Sequence, residues 1–172
     1  MHILKIKVMD ECPNRDSVIG YYKQIAQNKE NSSVNLIVPE KLQLPINRVT
    51  QIGLGIQCEF VTEKHARWEG GGRDYTEAES FMLMPTDLIS STPLSMANNI
   101  SIIDKCYRDQ LVVSVRCHVD LDHMTIMSES VYNINHTDKL FKIVAFDGKP
   151  IHIKLVTELS ILPEIKNKCC GW

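Results

Sequence analysis

Residues 84–107 read Met-Pro-Thr-Asp-Leu-Ile-Ser-Ser-Thr-Pro-Leu-Ser-Met-Ala-Asn-Asn-Ile-Ser-Ile-Ile-Asp-Lys-Cys-Tyr. Asn98 stands six residues before Asp104, Tyr107 follows three after it, and Ile100, Ile102 and Ile103 lie between. Short apolar runs bounded by turn residues predict strands. The stretch is the pattern of a β-hairpin pocket that reads a base and sets one carboxylate beside it. Asn98 offers one acceptor and two donors, enough to pair with an acceptor–donor edge. Asp104 can take a proton from water, and Tyr107 presents a flat face for a sugar or base. The same spacing has a plainer reading. Asn98-Asn99 suits a turn, because Asn tolerates left-handed backbone, and a lone Asp in such a place closes an Asx-type turn.

Outward from this stretch the chain is built of short β-rich runs broken by Pro, Gly and Asn, as in a sandwich, jelly roll or barrel. Candidate strands are 34–38, 48–54, 56–62, 81–84, 111–119, 124–127, 139–145 and 151–158. Before them, Leu4, Ile6 and Val8 alternate with Lys5 and Lys7, which predicts a short edge or half-buried strand. Val18, Ile19, Tyr22, Ile25 and Ala26 fall at helical spacing and predict one helix over about 16–29, capped by Asp16 or Ser17. Gly70-Gly71-Gly72 sits in a charged stretch and reads as a hairpin tip. It lacks the Lys and the strand–helix setting of a phosphate loop.

A chain of 172 residues with 44% hydrophobic and 23% charged residues fits one soluble domain. The expected boundaries are 1–163 for the domain and 164–172 for a C-terminal tail. A net charge of −2 gives no general attraction for nucleic acid or an anionic membrane, so neither is expected as a partner. No apolar run approaches the roughly 20 residues of a membrane-spanning helix, and the first residues do not form a signal peptide. The expected location is cytoplasmic or nuclear. There Cys12, Cys58, Cys106, Cys117, Cys169 and Cys170 are expected as reduced thiols. No Cys-x-x-Cys pair marks a zinc site, and no residue is assigned as a metal ligand.

Most of the chain resembles the trimeric dUTPases (dUTP diphosphatases), especially those of large DNA viruses. Residues 31–40, Asn-Ser-Ser-Val-Asn-Leu-Ile-Val-Pro-Glu, resemble the family's first motif, and residues 49–60 the strand after it. Residues 85–93 resemble the second motif, 98–108 the third, and 139–143 occupy the place of the fourth. The third is the most specific match. The resemblance implies a mainly β, dUTPase-like jelly roll or distorted barrel with one N-terminal helix. It implies a homotrimer whose pockets draw on more than one subunit, with a deoxyuridine nucleotide as ligand. Asn98 would lie in the uracil-reading hairpin, Asp104 would orient the water that attacks the α-phosphate, and Tyr107 would pack under the deoxyribose. Ser90 and Lys142 would face phosphate. Mg2+ would arrive mainly on the triphosphate, and the products would be dUMP and pyrophosphate.

The match is uneven where phosphate would be held. The first-motif Asp is Asn35, which removes a charge that helps hold Mg2+. Thr86 and Asp87 replace the Arg-Ser of the second motif, and a carboxylate there repels phosphate. Ser90 and Thr92 remain as hydroxyl donors, and Lys142 stands for the fourth-motif Gln as a point charge. Ser101, Cys106 and Asp109 take places usually held by Gly, and the Arg- and Gly-rich fifth motif gives way to residues 165–172. Losing one preorganised phosphate contact can cost two to three orders of magnitude in rate. The expectation is therefore a deoxyuridine-nucleotide binder with weak dUTP hydrolysis. The alternative is a catalytically inactive scaffold of the same fold with a binding or regulatory role.

Overall fold

The computed structural model describes residues 1–28, 31–68, 71–118 and 131–160. Along them run β1 (His2–Val8), α1 (Arg15–Ile25), β2 (Ser33–Leu36), β3 (Leu42–Pro45), β4 (Val49–Gly53), β5 (Ile56–Trp68), β6 (Gly71–Ala78) and β7 (Phe81–Pro85). A 3-10 helix at Asp87–Ser91 follows, then β8 (Leu94–Met96), β9 (Ser101–Ile103), β10 (Val112–Cys117), β11 (Val131–Ile134), β12 (Phe141–Val144) and β13 (Ile151–Leu155).

The alternation at the N-terminus sets the first sheet. His2, Leu4, Ile6 and Val8 are buried and the residues between them are partly covered, the two-residue period of a strand. The strand is internal rather than an edge. It runs antiparallel to β5 and parallel to β13 in a sheet of order β13-β1-β5-β6. The lysines therefore guard no edge, and Lys5 lies directly opposite Glu59. β5 continues past β1, so residues 64–68 pair only with β6 as a two-stranded ribbon. Gly71 and Gly72 belong to β6, paired with Trp68 and Arg67, rather than to the turn itself.

A second four-stranded sheet has the order β2-β12-β7-β9. Val34 and Leu36, Phe141 and Ile143, and Phe81 and Leu83 point into the core from three neighbouring strands. The rings of Phe60 and Phe81 lie 5.9 Å apart and join the two large sheets. Each large apolar side chain buried this way contributes about 1.5–3 kcal/mol. The other face carries Asn35, Lys142, Met84, Val144, Met82 and Ile102, in register across the four strands. Two smaller sheets, β4-β10-β8 and β11-β3, complete the layers.

α1 begins and ends earlier than its apolar spacing predicts. The cap is neither Asp16 nor Ser17. Asn14 precedes the helix at φ 51°, and its Nδ2 donates to the Pro39 carbonyl at 2.8 Å instead of bonding the helix end. Val18 and Tyr22 are the buried face, packed on β1 and β13. The mainly β fold with one N-terminal helix agrees with the sequence reading. Among the described residues the sheets stay open and no closed barrel forms. The strand expected over 124–127 and the tail at 164–172 fall outside the described residues.

Candidate functional site

Residues 104–110 form a turn tied down from several directions. Asp104 follows β9 directly, and its Oδ1 accepts the Cys106 N–H at 2.8 Å. The Tyr107 N–H reaches the Asp104 carbonyl at 2.9 Å, and the Lys105 N–H reaches Ser80 Oγ at 3.2 Å. This is the Asx turn of the plainer reading. The bond from Cys106 uses one carboxylate oxygen, Oδ1. The Tyr107 hydroxyl donates to the Gln110 carbonyl at 2.7 Å, and its ring packs on the core. Burial, with the nearby Asp109 charge, raises the Tyr107 pKa, so the hydroxyl remains a donor at neutral pH.

Asn98 does not lie in a hairpin. β8 pairs with β10 while β9 pairs with β7, so residues 97–100 carry the chain from one sheet to another. Asn99 takes the left-handed backbone at φ 56°. Asn98 Nδ2 donates to Ser101 Oγ at 2.6 Å, and its side chain is exposed. Asn98 stays within one short strand of Asp104.

The expected phosphate-facing residues gather elsewhere. Lys142 lies opposite Asn35 on one side and Met84 on the other. Its Nζ stands 4.0 Å from the fully exposed Asp87 carboxylate. The hydroxyls that follow Asp87 in sequence already have local partners. Ser90 donates to the Asp87 carbonyl at 2.6 Å and Thr92 to the Ile89 carbonyl at 2.7 Å, both within or at the end of the 3-10 helix. Thr86 is buried and donates inward to the Lys139 carbonyl at 2.7 Å. Tyr21 of α1 donates to the Asn35 carbonyl at 3.0 Å, and burial pushes its pKa up to about 12. Lys142, Asn35, Asp87 and Ser90 thus share one patch.

That patch and the Asp104 turn are far apart in a single chain. Lys142 is level with Met84, whereas Asp104 follows the Ile103–Phe81 pair and so falls level with Ser80. Four residues along β7 and two strand spacings across give a Cα separation of roughly 17 Å. Sequence reasoning also missed Arg108 and Glu59, which anchor the turn from below. The available signal was Glu59 itself, a charge set between the buried Cys58, Phe60 and Val61.

A metal ion held by the protein does not fit these residues. The Lys142 patch supplies a single carboxylate, with an ammonium beside it, and a divalent cation there would meet that charge. Among the described residues, no group of three or more His, Cys, Asp or Glu side chains could hold a metal ion. A cleft of about 480 Å³ between Lys7, Asp10, Arg15, Leu155 and Glu158 contains none of the residues of either region.

No protein-family model and no curated protein sequence matches the chain. Solved structures do. A mutant dUTPase from phage phi11 of S. aureus, described for its coordination of a structural Mg(II) ion, aligns over 94% of this chain and 97% of that one. The identity is 16% and the TM-score 0.51. A mutant dUTPase of Staphylococcus bacteriophage 80alpha with dUpNHpp aligns over 98% and 96%, with 15% identity and a TM-score of 0.50. A further mutant of that 80alpha enzyme, also with dUpNHpp, aligns over 95% and 98% at 13% identity and the same score. The chain therefore has the fold of the dUTPases.

Proposed function

We propose that this chain binds a deoxyuridine nucleotide as a homotrimer and hydrolyses dUTP to dUMP and pyrophosphate weakly, with Asp104 orienting the attacking water. The observation that carries this reading is the Asp104–Tyr107 turn, set after β9 in a dUTPase fold. One Asp104 oxygen holds the turn, which leaves the other to accept a proton from water. Tyr107, fixed through its hydroxyl, offers its ring face to the deoxyribose. Exposed Asn98 offers an amide to the uracil edge.

Assembly supports the phosphate end. The roughly 17 Å between the Asp104 and Lys142 Cα atoms of one chain supports a pocket shared between copies. The apolar row Ile102, Met82 and Val144 lies on the outer face between them, with Ile102 68% exposed, and gives the copies a surface to share. Mg2+ belongs to the substrate in this reading and enters on the triphosphate.

A second reading, a scaffold without turnover, has its own support. Asp87 offsets the Lys142 charge where phosphate would sit, and Ser90 and Thr92 already donate to backbone carbonyls. One 80alpha structure comes from work on phage dUTPases that control the transfer of virulence genes, so a regulatory role is compatible with this fold. Calorimetric titration with dUMP and dUpNHpp, beside a pyrophosphate-release assay with dUTP and Mg2+, separates the readings. Binding with slow release supports the first, and binding without release supports the second. Absence of binding of either ligand by the purified protein refutes the nucleotide role and leaves the scaffold reading standing.

A further inference from the structure

Glu59 is a carboxylate buried on an inner strand of its sheet. It lies on β5 between Cys58 and Phe60, is 4% exposed, and sits opposite Lys5 of β1. Its Oε2 accepts from Lys5 Nζ at 3.0 Å and from the Ser160 N–H at 3.3 Å, while Oε1 accepts from Arg108 Nη2 at 3.2 Å. A carboxylate this buried persists only when paired and hydrogen-bonded. The second guanidinium nitrogen is used just as closely. Arg108 Nη1 donates to the Lys105 carbonyl at 2.7 Å and to the Tyr107 carbonyl at 2.8 Å. One planar group thus spans from a fixed charge in the sheet to two carbonyls of the turn that carries Asp104 and Tyr107.

We propose that Glu59, acting through Arg108, is the positioning residue of the nucleotide-binding turn, holding Asp104 and Tyr107 in their binding geometry from beneath. This rests on the nucleotide reading above. Arg108 then works inward, with its charge facing Glu59 and the turn's own backbone, and it is not a phosphate ligand. Lysine cannot replace it, because an ammonium is a point charge and cannot hold a carboxylate and two carbonyls in one plane. Lys5 touches the same carboxylate but not the turn, so it serves as the control.

The test compares wild type, Glu59→Gln, Arg108→Ala, Arg108→Lys and Lys5→Met by two measurements. The first is amide hydrogen exchange at Cys106 and Tyr107, whose N–H groups close the turn. The second is calorimetric affinity for dUMP. Glu59→Gln, Arg108→Ala and Arg108→Lys are each expected to speed exchange at these amides about tenfold or more and to weaken dUMP binding by a similar factor. Lys5→Met is expected to lower the melting temperature while leaving both readouts near wild type. Rescue of exchange and affinity by Arg108→Lys overturns the proposal, because charge pairing alone would then suffice. So does a Lys5→Met variant that matches Glu59→Gln in both. If wild type fails to bind dUMP, the nucleotide reading falls and the exchange arm still decides whether Glu59 and Arg108 hold the turn.

Discussion

Asp104 does two separable things, and substitution can pull them apart. Its Oδ1 closes the turn on the Cys106 N–H, and its charge is what the proposed hydrolysis needs. Asp104→Asn keeps an oxygen acceptor in the same place and removes the charge. An exposed substitution that preserves its bond changes stability by less than about 0.5 kcal/mol. In a chain of this size about 1 kcal/mol moves the melting temperature by roughly 2–4 °C, so the Asn variant should melt within about 2 °C of wild type. Asp104→Ala loses the acceptor as well. A net intramolecular hydrogen bond is worth about 1 kcal/mol, which places the Ala variant roughly 2–4 °C below wild type. Catalysis should sort the variants differently. Removing a positioned general base costs about 10²–10⁴ in rate, so pyrophosphate release from saturating Mg-dUTP should fall at least ~100-fold in both. Calorimetric melting and a coupled pyrophosphate assay on the same preparations read the two effects. An Asn variant that hydrolyses dUTP at the wild-type rate, beside an Ala variant that only melts lower, would reduce Asp104 to a turn residue and refute the reasoning.

Glu59 gives a pH dependence with a definite sign. Burial pushes its pKa up, but bonds from Lys5 and Ser160, with the Lys5 charge, outweigh it and hold the group below its ordinary 4.5. The unfolded chain then takes up this proton first as the solution is acidified. The stabilisation is complete above the ordinary value and is lost as pH falls from there through the folded-state value. Urea titrations should show the stability gap between wild type and Glu59→Gln shrinking from pH 7 to pH 3, and a gap that widens would contradict the pairing. Phe141→Ala, on the inner face of β12, removes a fully buried ring and should cost about 3–5 kcal/mol in a denaturant titration. A loss below about 1 kcal/mol would mean that β12 is misplaced. Gly55 sits at φ 66°, and an added Cβ would run into Cys12 Sγ. Gly55→Ala should therefore destabilise, and adding Cys12→Ala should recover the clash but not the roughly 1–2 kcal/mol of left-handed strain. Equal melting temperatures for the single and double variants would rule out that contact.

The legible parts of the fold are those where one physical cause acts alone. Val34 with Leu36, Phe81 with Leu83, and Phe141 with Ile143 alternate cleanly because one sheet face is buried, and those strands can be read directly. β3, β6, β8, β9 and β11 are harder, because pairing with a distant strand rather than local pattern defines them. Ser101–Ile103 is a strand only through its partners on β7. The helix cap escapes local reading for the same reason, since Asn14 gives its amide to Pro39 across the fold instead of to the helix. At the candidate site, the residue types of Asn98, Asp104 and Tyr107 are visible in the sequence. Their arrangement is not, because a crossover between sheets and a hairpin look alike over four residues. The inward turn of Arg108 lies beyond sequence reading, because its partner Glu59 is 49 residues away and an Arg after a Tyr reads naturally as exposed.

The two regions are held by different forces. The Asp104 turn is held by backbone bonds, by Arg108 and by the core packing of Tyr107, so substitutions there disturb folding as well as any ligand. The Lys142 patch lies on the outer face of its sheet, and Asp87 beside it is fully solvated. A charge reversal at such a place changes stability by less than about 1 kcal/mol. Folding therefore constrains Tyr107 and Arg108 strongly and the Lys142 patch hardly at all. A chain under no demand for turnover would tolerate change first at Asn35 and Asp87 and last at Tyr107 and Arg108. That order follows from the physics of the fold. On that ground, substitutions around Lys142 test the proposed phosphate contact with the fold intact, while those at Tyr107 and Arg108 test the fold together with the proposed pocket.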